Sequence, residues 1–131
     1  MRTMPSFDRT FTTSRFLPHA PEAVYAAFEH PERLAAWWGP NGFRNTFGVF
    51  EFVPGGRWHF TMHGPDGTDY ANRNVFVALE PARRVVIRHD GEPFFTLTVE
   101  LAGVSGGTQL HWMQVLDDAE VARAVAPIVE P

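Results

Sequence analysis

Two polar side chains stand where the surrounding alternation turns them toward the apolar side of a strand. His89 falls in step with Val85 and Ile87, against Arg84, Val86 and Arg88 on the other side. Gln114 falls in step with Leu110, Trp112 and Leu116, against His111, Met113 and Val115. An unpaired polar atom in such a place costs about 1–3 kcal/mol, so each is expected to bond a neighbouring side chain, a pocket water or an oxygen of a bound molecule. The imidazole is also able to act as a base near neutral pH. His59 and His63 share one strand face but lie roughly 13 Å apart at the strand rise, too far to grip one metal ion. Tyr70, Asn72 and Asn74 alternate along another strand and can reach a cavity mouth. Arg15, Arg57 and Arg73 can pair a ligand carboxylate, although arginines at sheet edges ordinarily face water. No Ser-His-Asp order, Gly-rich phosphate loop or pair of acids at a working distance is present. The residues therefore nominate no catalytic group, no metal site and no cofactor.

The apolar side of these strands is rich in large rings. Trp58, Phe60 and Met62 alternate with His59, Thr61 and His63, and Phe95 and Leu97 alternate with Thr96 and Thr98. Trp37 and Trp38 sit at a helix end beside a Gly-Pro turn. Each ring buries on the order of 150–250 Å², and for each one packing against the core competes with contact to a ligand. Together Trp37, Trp38, Trp58, Phe60, Met62, Tyr70, His89, Phe95, Leu97, Trp112 and Gln114 form the candidate lining of a hydrophobic pocket with a few polar groups, the usual make-up of a small-molecule site.

The totals narrow the classes further. A chain of 131 residues without a linker-like composition shift reads as one domain, residues 1–131. It has no cysteine, which excludes disulfides and thiolate chemistry and suits a reducing cytoplasm. All 11 basic residues are arginine, so Schiff-base and P-loop lysine chemistry are excluded. With a net charge of -4 and Arg83-Arg84 as its tightest basic pair, the chain lacks the basic stripe that nucleic acid requires. Nowhere do eighteen apolar residues run consecutively, so no membrane span is expected.

The elements that must hold the pocket follow from periodicity. Thr- and Phe-rich residues 7–16 read as a first strand. Pro21 opens a helix with Val24, Ala27 and Phe28 on one face, and Pro31-Glu32 opens a second that carries Leu34, Trp37 and Trp38 and ends at Gly39-Pro40. From about Thr46 six strands alternate with turn signals at Pro54-Gly55-Gly56, Gly64-Pro65-Asp66-Gly67, Glu80-Pro81, Asp90-Gly91 and Gly106-Gly107. Asp117-Asp118-Ala119-Glu120 then reads as a helix start that Pro127 interrupts. The fold class is α+β: a single antiparallel sheet, two short helices after the first strand, and a cover for the apolar face.

These residues resemble a known family in the order in which they occur. Arg15-Phe16, Ala20-Pro21, Val24-Tyr25, Phe28, Pro31-Glu32, Trp37-Trp38-Gly39-Pro40, Gly42-Phe43, Pro54-Gly55-Gly56-Arg57-Trp58, His63-Gly64-Pro65-Asp66-Gly67, Tyr70, Asn72, Pro81-Ala82-Arg83 and Gly107-Thr108 are similar to bacterial proteins related to the C-terminal domain of the activator of heat-shock-protein-90 ATPase. That family lies in the START-like, birch-pollen-allergen-like superfamily. The resemblance implies a helix-grip fold, in which a curved antiparallel sheet grips a long C-terminal helix and a cavity between them holds an apolar molecule. Against that pattern the present sequence carries only the first turns of the gripped helix, so that helix is expected to be truncated or mostly absent. A homodimer covering the open sheet face is the corresponding expectation, because large apolar patches rarely stay exposed.

The expected function is binding of a small hydrophobic molecule by a cytoplasmic, non-catalytic carrier or sensor. Two alternatives stand beside it. A cyclase- or hydrolase-type enzyme would need His89 or a neighbour with a shifted pKa, and a chaperone ATPase co-factor linked to stress response would act through its outer surface.

Overall fold

The computed structural model describes residues 9–39, 41–91 and 94–118. Seven strands form one antiparallel sheet: β1 (Thr10–Leu17), β2 (Arg44–Phe50), β3 (Arg57–His63), β4 (Asp69–Glu80), β5 (Arg84–His89), β6 (Phe95–Val104) and β7 (Gly107–Leu116). Their order across the sheet is β1-β7-β6-β5-β4-β3-β2. The strands from β2 to β7 therefore run as successive hairpins, and only the β1–β7 pair joins distant parts of the chain. Two helices, α1 (Pro21–Glu29) and α2 (Pro31–Trp37), fill the connection between β1 and β2. The first strand thus ends one residue later than the sequence suggests; of the expected C-terminal helix start, Asp117 and Asp118 are described and lie in no helix, and the rest falls outside the described residues. Among those residues no helix is long and apolar enough to cross a membrane.

The helix pair is set by its prolines. Pro21 and Pro31 occupy first-turn positions, where a missing N–H costs nothing and φ is already helical. The residue before a proline is driven out of the helical region. His30 accordingly adopts φ -98° and ψ 114°, ending α1 and capping α2 in one step. This sharp join turns Phe28 and Leu34 into the same core, where both are essentially inaccessible.

In the sheet, cross-strand partners share a face. The pairs Trp58–Asn74, Asn74–His89, His89–Phe95 and Phe95–Leu116 form one row, and Ile87–Leu97 and Leu97–Gln114 belong to the next. Val85, Val99, Trp112 and Thr13 make a third. This apolar face joins Val24, Tyr25, Phe28 and Leu34 of the helices in a single core with Trp58, Phe60, Phe76, Ile87, Leu97 and Val99. Helix α1 packs on β6 and β7, and α2 on β2. The opposite face carries Arg44, Thr46, His63, Arg73, Arg84, Thr96, Glu100 and His111, as the alternation requires. Register slips at Gly48 and Val77 let β2 and β4 bend while Phe47, Phe50, Phe76 and Leu79 stay on the apolar face and Val77 is left exposed.

Candidate functional site

The centre of the concave face is a chain of rings. Trp38, just past α2, packs edge-on against Trp58 at 4.8 Å between ring centres and leans toward Trp112 at 5.7 Å. It thereby spans the sheet from β3 to β7. Trp58 stacks on Phe60 at 4.7 Å and Phe76 at 5.7 Å, and Phe47 closes on it edgewise at 5.5 Å. Trp37 meets Trp38 edge-on at 5.6 Å and the buried Phe28 at 4.9 Å, its indole N–H donates to the Ala27 carbonyl at 3.1 Å, and much of its ring stays exposed. What fixes Trp38 is Asn45 of β2, whose amide donates to the Ala35 and Trp38 carbonyls at 3.0 and 2.9 Å. That clamp satisfies two carbonyls at the end of α2, the groups a helix end leaves unpaired.

The polar groups of the wall lie in one cross-strand row. The Asn74 amide donates to the Trp58 carbonyl at 3.2 Å, so its Oδ1 must face His89, whose Nδ1–H donates to it at 2.9 Å. The imidazole therefore carries its proton on Nδ1 and keeps the lone pair on Nε2. Burial, and secondarily the Arg88 guanidinium, hold His89 below the ordinary histidine value, while Asp90 opposes them. Its ring stacks on Phe95 at 4.6 Å. The outcome is a buried, neutral imidazole that presents a hydrogen-bond acceptor.

The predicted lining separates into two depths. Trp58, Phe60, His89 and Leu97 are buried, whereas Trp38, Met62, Phe95, Trp112 and Gln114 are only partly covered. Tyr70, paired with Met62 across the strands, is exposed and leans on Phe43 at the rim. Trp37 is exposed as well and touches the wall through Trp38. Two buried polar atoms among the described residues lack a protein partner, Trp58 Nε1 and Asn45 Oδ1. Buried polar atoms are normally paired; both of these are sealed from solvent inside the wall, Trp58 being wholly buried. Two hollows among the described residues lie away from this face. One, of about 380 Å³, lies on the outer face between Ser14, Glu80, Arg84, Glu100 and His111. The other, of about 450 Å³, lies at the sheet end beside α1.

Sequence reasoning missed a polar relay on the outer face. Asp69 accepts His63 Nδ1–H at 2.8 Å, and His63 Nε2 accepts the Thr46 hydroxyl at 2.7 Å. This is the bonding order of an acid–base triad, assembled from β2, β3 and β4. Asp69 is exposed and neither hollow adjoins the relay, so its geometry is that of a clip across three strands near the sheet edge. The signal was hidden because cross-strand neighbours are far apart in sequence. No group of three metal-ligating side chains converges among the described residues.

A curved seven-stranded antiparallel sheet, two short helices after its first strand and a ring-lined concave face together define a START-like, helix-grip α+β protein. The chain belongs to the family described as Activator of Hsp90 ATPase homolog 1-like protein, whose model matches residues 18–127. Solved structures agree. A Rhodobacter sphaeroides protein is 28% identical with a TM-score of 0.81, over 94% of this chain and 82% of that one. One from Arthrobacter aurescens is 23% identical with a TM-score of 0.84, over 95% and 78%. An AHSA1-like protein from Aeromonas hydrophila is 21% identical with a TM-score of 0.72, over 92% and 87%. No curated protein matches the chain.

Proposed function

We propose that the protein binds a small hydrophobic molecule on the concave face of its sheet and acts as a non-catalytic carrier or sensor. The observation that carries this reading is the partly covered band of Met62, Phe95, Trp112 and Gln114 beside a fully packed layer of rings. Apolar side chains in that state gain about 25 cal/mol for each Å² a ligand covers. Orientation would come from His89 Nε2 as acceptor. Among the described residues the wall offers no paired acids. A cyclase- or hydrolase-type activity is the second reading, because a neutral imidazole with a free lone pair on Nε2 is a competent base.

Native mass spectrometry of protein purified from its own host tests the proposal. A co-purifying apolar adduct is expected, depleted in Trp112→Ala, and 1-anilinonaphthalene-8-sulfonate should compete for the same face and quench tryptophan emission. Adduct-free spectra together with probe binding that Trp112→Ala leaves intact would remove it. Turnover of an identified adduct that His89→Gln abolishes, with binding kept, would favour the enzyme instead.

A further inference from the structure

His89 sets not only that the concave face has a polar group but also which kind. The Trp58 carbonyl can only accept, so the amide nitrogen of Asn74 must turn to it, at 3.2 Å, and the Asn74 oxygen to His89, whose Nδ1 lies 2.9 Å away. An oxygen in that place needs a donor, which assigns the proton of the neutral imidazole to Nδ1. Nε2 keeps a lone pair and can only accept. The tautomer thus follows from the register of β3, β4 and β5, which sets Trp58, Asn74 and His89 side by side.

The lone pair belongs to a buried side chain and is still reachable. His89 is 5% exposed, and its ring lies flat against Phe95 at 4.6 Å. Among the described residues Nε2 bonds no group, yet it is not sealed from solvent as Trp58 Nε1 is. Gly91, in the turn after β5, borders it: a Cβ placed there would stand 4.0 Å from Nε2 and meet nothing nearer. The missing side chain at Gly91 therefore leaves the acceptor open. The neighbouring polar groups do not discriminate in this way. Asn74 spends both ends of its amide on protein partners, and Gln114 carries a donor and an acceptor together.

On the reading that the concave face is the binding site, we infer that its ligand is a neutral, hydroxyl-bearing apolar molecule, an alcohol or phenol, whose O–H donates to His89 Nε2 while its body covers Phe95 and the partly covered band beside it. A carbonyl, ether or carboxylate oxygen brought to the same place sets lone pair against lone pair, and both acceptors stay unpaired after losing their water. A neutral donor also suits an apolar wall, where an ion would have to shed its hydration. His89 and Gly91 are then specificity-determining residues, one by the lone pair it offers and the other by the space it leaves.

Fluorenol, fluorenone and fluorene share one apolar skeleton and carry a hydroxyl, a carbonyl or neither. Each is titrated into the isotope-labelled full chain at about pH 8, above the ordinary histidine value, and followed by amide NMR and by the imidazole nitrogen resonances. Fluorenol is expected to bind about tenfold more tightly than fluorenone, the worth of one hydrogen bond. It should also move the Nε2 resonance of His89, which fluorenone and fluorene should leave in place. His89→Gln should erase the preference. Gly91→Val, which keeps His89 and its partner and covers Nε2 from the rim, should erase it as well, so the result does not hang on one variant of a buried residue. Equal binding of fluorenol and fluorenone, a fluorenol complex with an unmoved Nε2 resonance, or a preference that survives Gly91→Val would overturn the inference and leave the concave face standing as an apolar site. If none of the three binds, fluorene included, the reading of that face falls together with it.

Discussion

At the scale of single residues, His89 is neutral chiefly because of where it is buried rather than because of neighbouring charge. The ordinary histidine pKa is about 6.5, and the folded value lies below it. Above that ordinary value the side chain is neutral in both states and its contribution to stability is complete. As pH falls through 6.5 the unfolded chain takes up a proton that the folded protein refuses, so stability declines until the depressed folded pKa is reached. Arg88 and Asp90, on either side in sequence, act in opposite directions on this transition. Chemical denaturation from about pH 8 to about pH 5 should show the decline, and His89→Gln should flatten it relative to the parent; an identical pH profile in the two proteins would contradict the assignment. The partner is testable separately. Asn74→Ala strands the Nδ1–H of His89 and removes one donor from the Trp58 carbonyl, and should lower stability by about 1–3 kcal/mol with an unchanged denaturant slope. The inward placement of His89 was legible from its step with Val85 and Ile87. The identity of its partner was not, because Asn74 reaches it only through the β4–β5 register, which a bulge at Val77 resets.

At the scale of elements, the glycines of the turn motifs differ in what they do. In the sequence Pro54-Gly55-Gly56 and Gly106-Gly107 read alike, as chain reversals. In the structure a Cβ on Gly56 would sit 2.0 Å from the Glu51 carbonyl oxygen, and one on Gly107 would sit 2.1 Å from that of Leu17. Both obstacles are backbone, which cannot swing aside as a side chain would. Gly56 lets the β2–β3 connection fold back so that Arg57 N–H and its guanidinium both reach Glu51. Gly107 lets β7 close on the end of β1, and the adjacent Thr108 hydroxyl then donates to the His19 carbonyl at 2.7 Å. Gly67 is a control: its φ is +88°, but an added methyl group would find nothing within 4 Å. Gly56→Ala and Gly107→Ala should each cost at least about 2 kcal/mol, and Gly67→Ala only about 1 kcal/mol, from backbone strain alone. Thermal or urea melts that rank Gly67→Ala as the most damaging would refute the close-approach explanation. Strands were thus readable from alternation and turns from composition, while the packing role of a particular glycine depends on a carbonyl that, for Gly107, belongs to the far end of the chain and leaves no local mark.

For the molecule as a whole, the resemblance in sequence correctly indicated one curved sheet with a helix pair, since each of those features is written in short-range patterns. The inward facing of Trp58, Phe60, His89 and Leu97 was readable for the same reason. The hollow beside α1 was not, because it forms where the stripe Glu22, Tyr25, Glu29 meets two turns that lie much farther along the chain. Topology also fixes an order of events. From β2 to β7 each strand pairs with its sequence neighbour, so these hairpins close short loops, whereas β1 must find β7 across most of the chain. Loop-closure entropy rises with separation and distant pairings slow folding, so the β1–β7 seam should form after the transition state. Thr108, wholly buried, reports on that seam through its bond to His19, and Val99, wholly buried at the middle of β6, reports on the meander. Thr108→Val keeps the shape and removes the donor, at a cost of about 1–2 kcal/mol. That cost should appear almost entirely as faster unfolding, with a φ-value near zero, while Val99→Ala should slow folding. If Thr108→Val slows folding by as large a share of its stability loss as Val99→Ala does, the seam is already closed at the transition state, and the first strand templates the sheet rather than completing it.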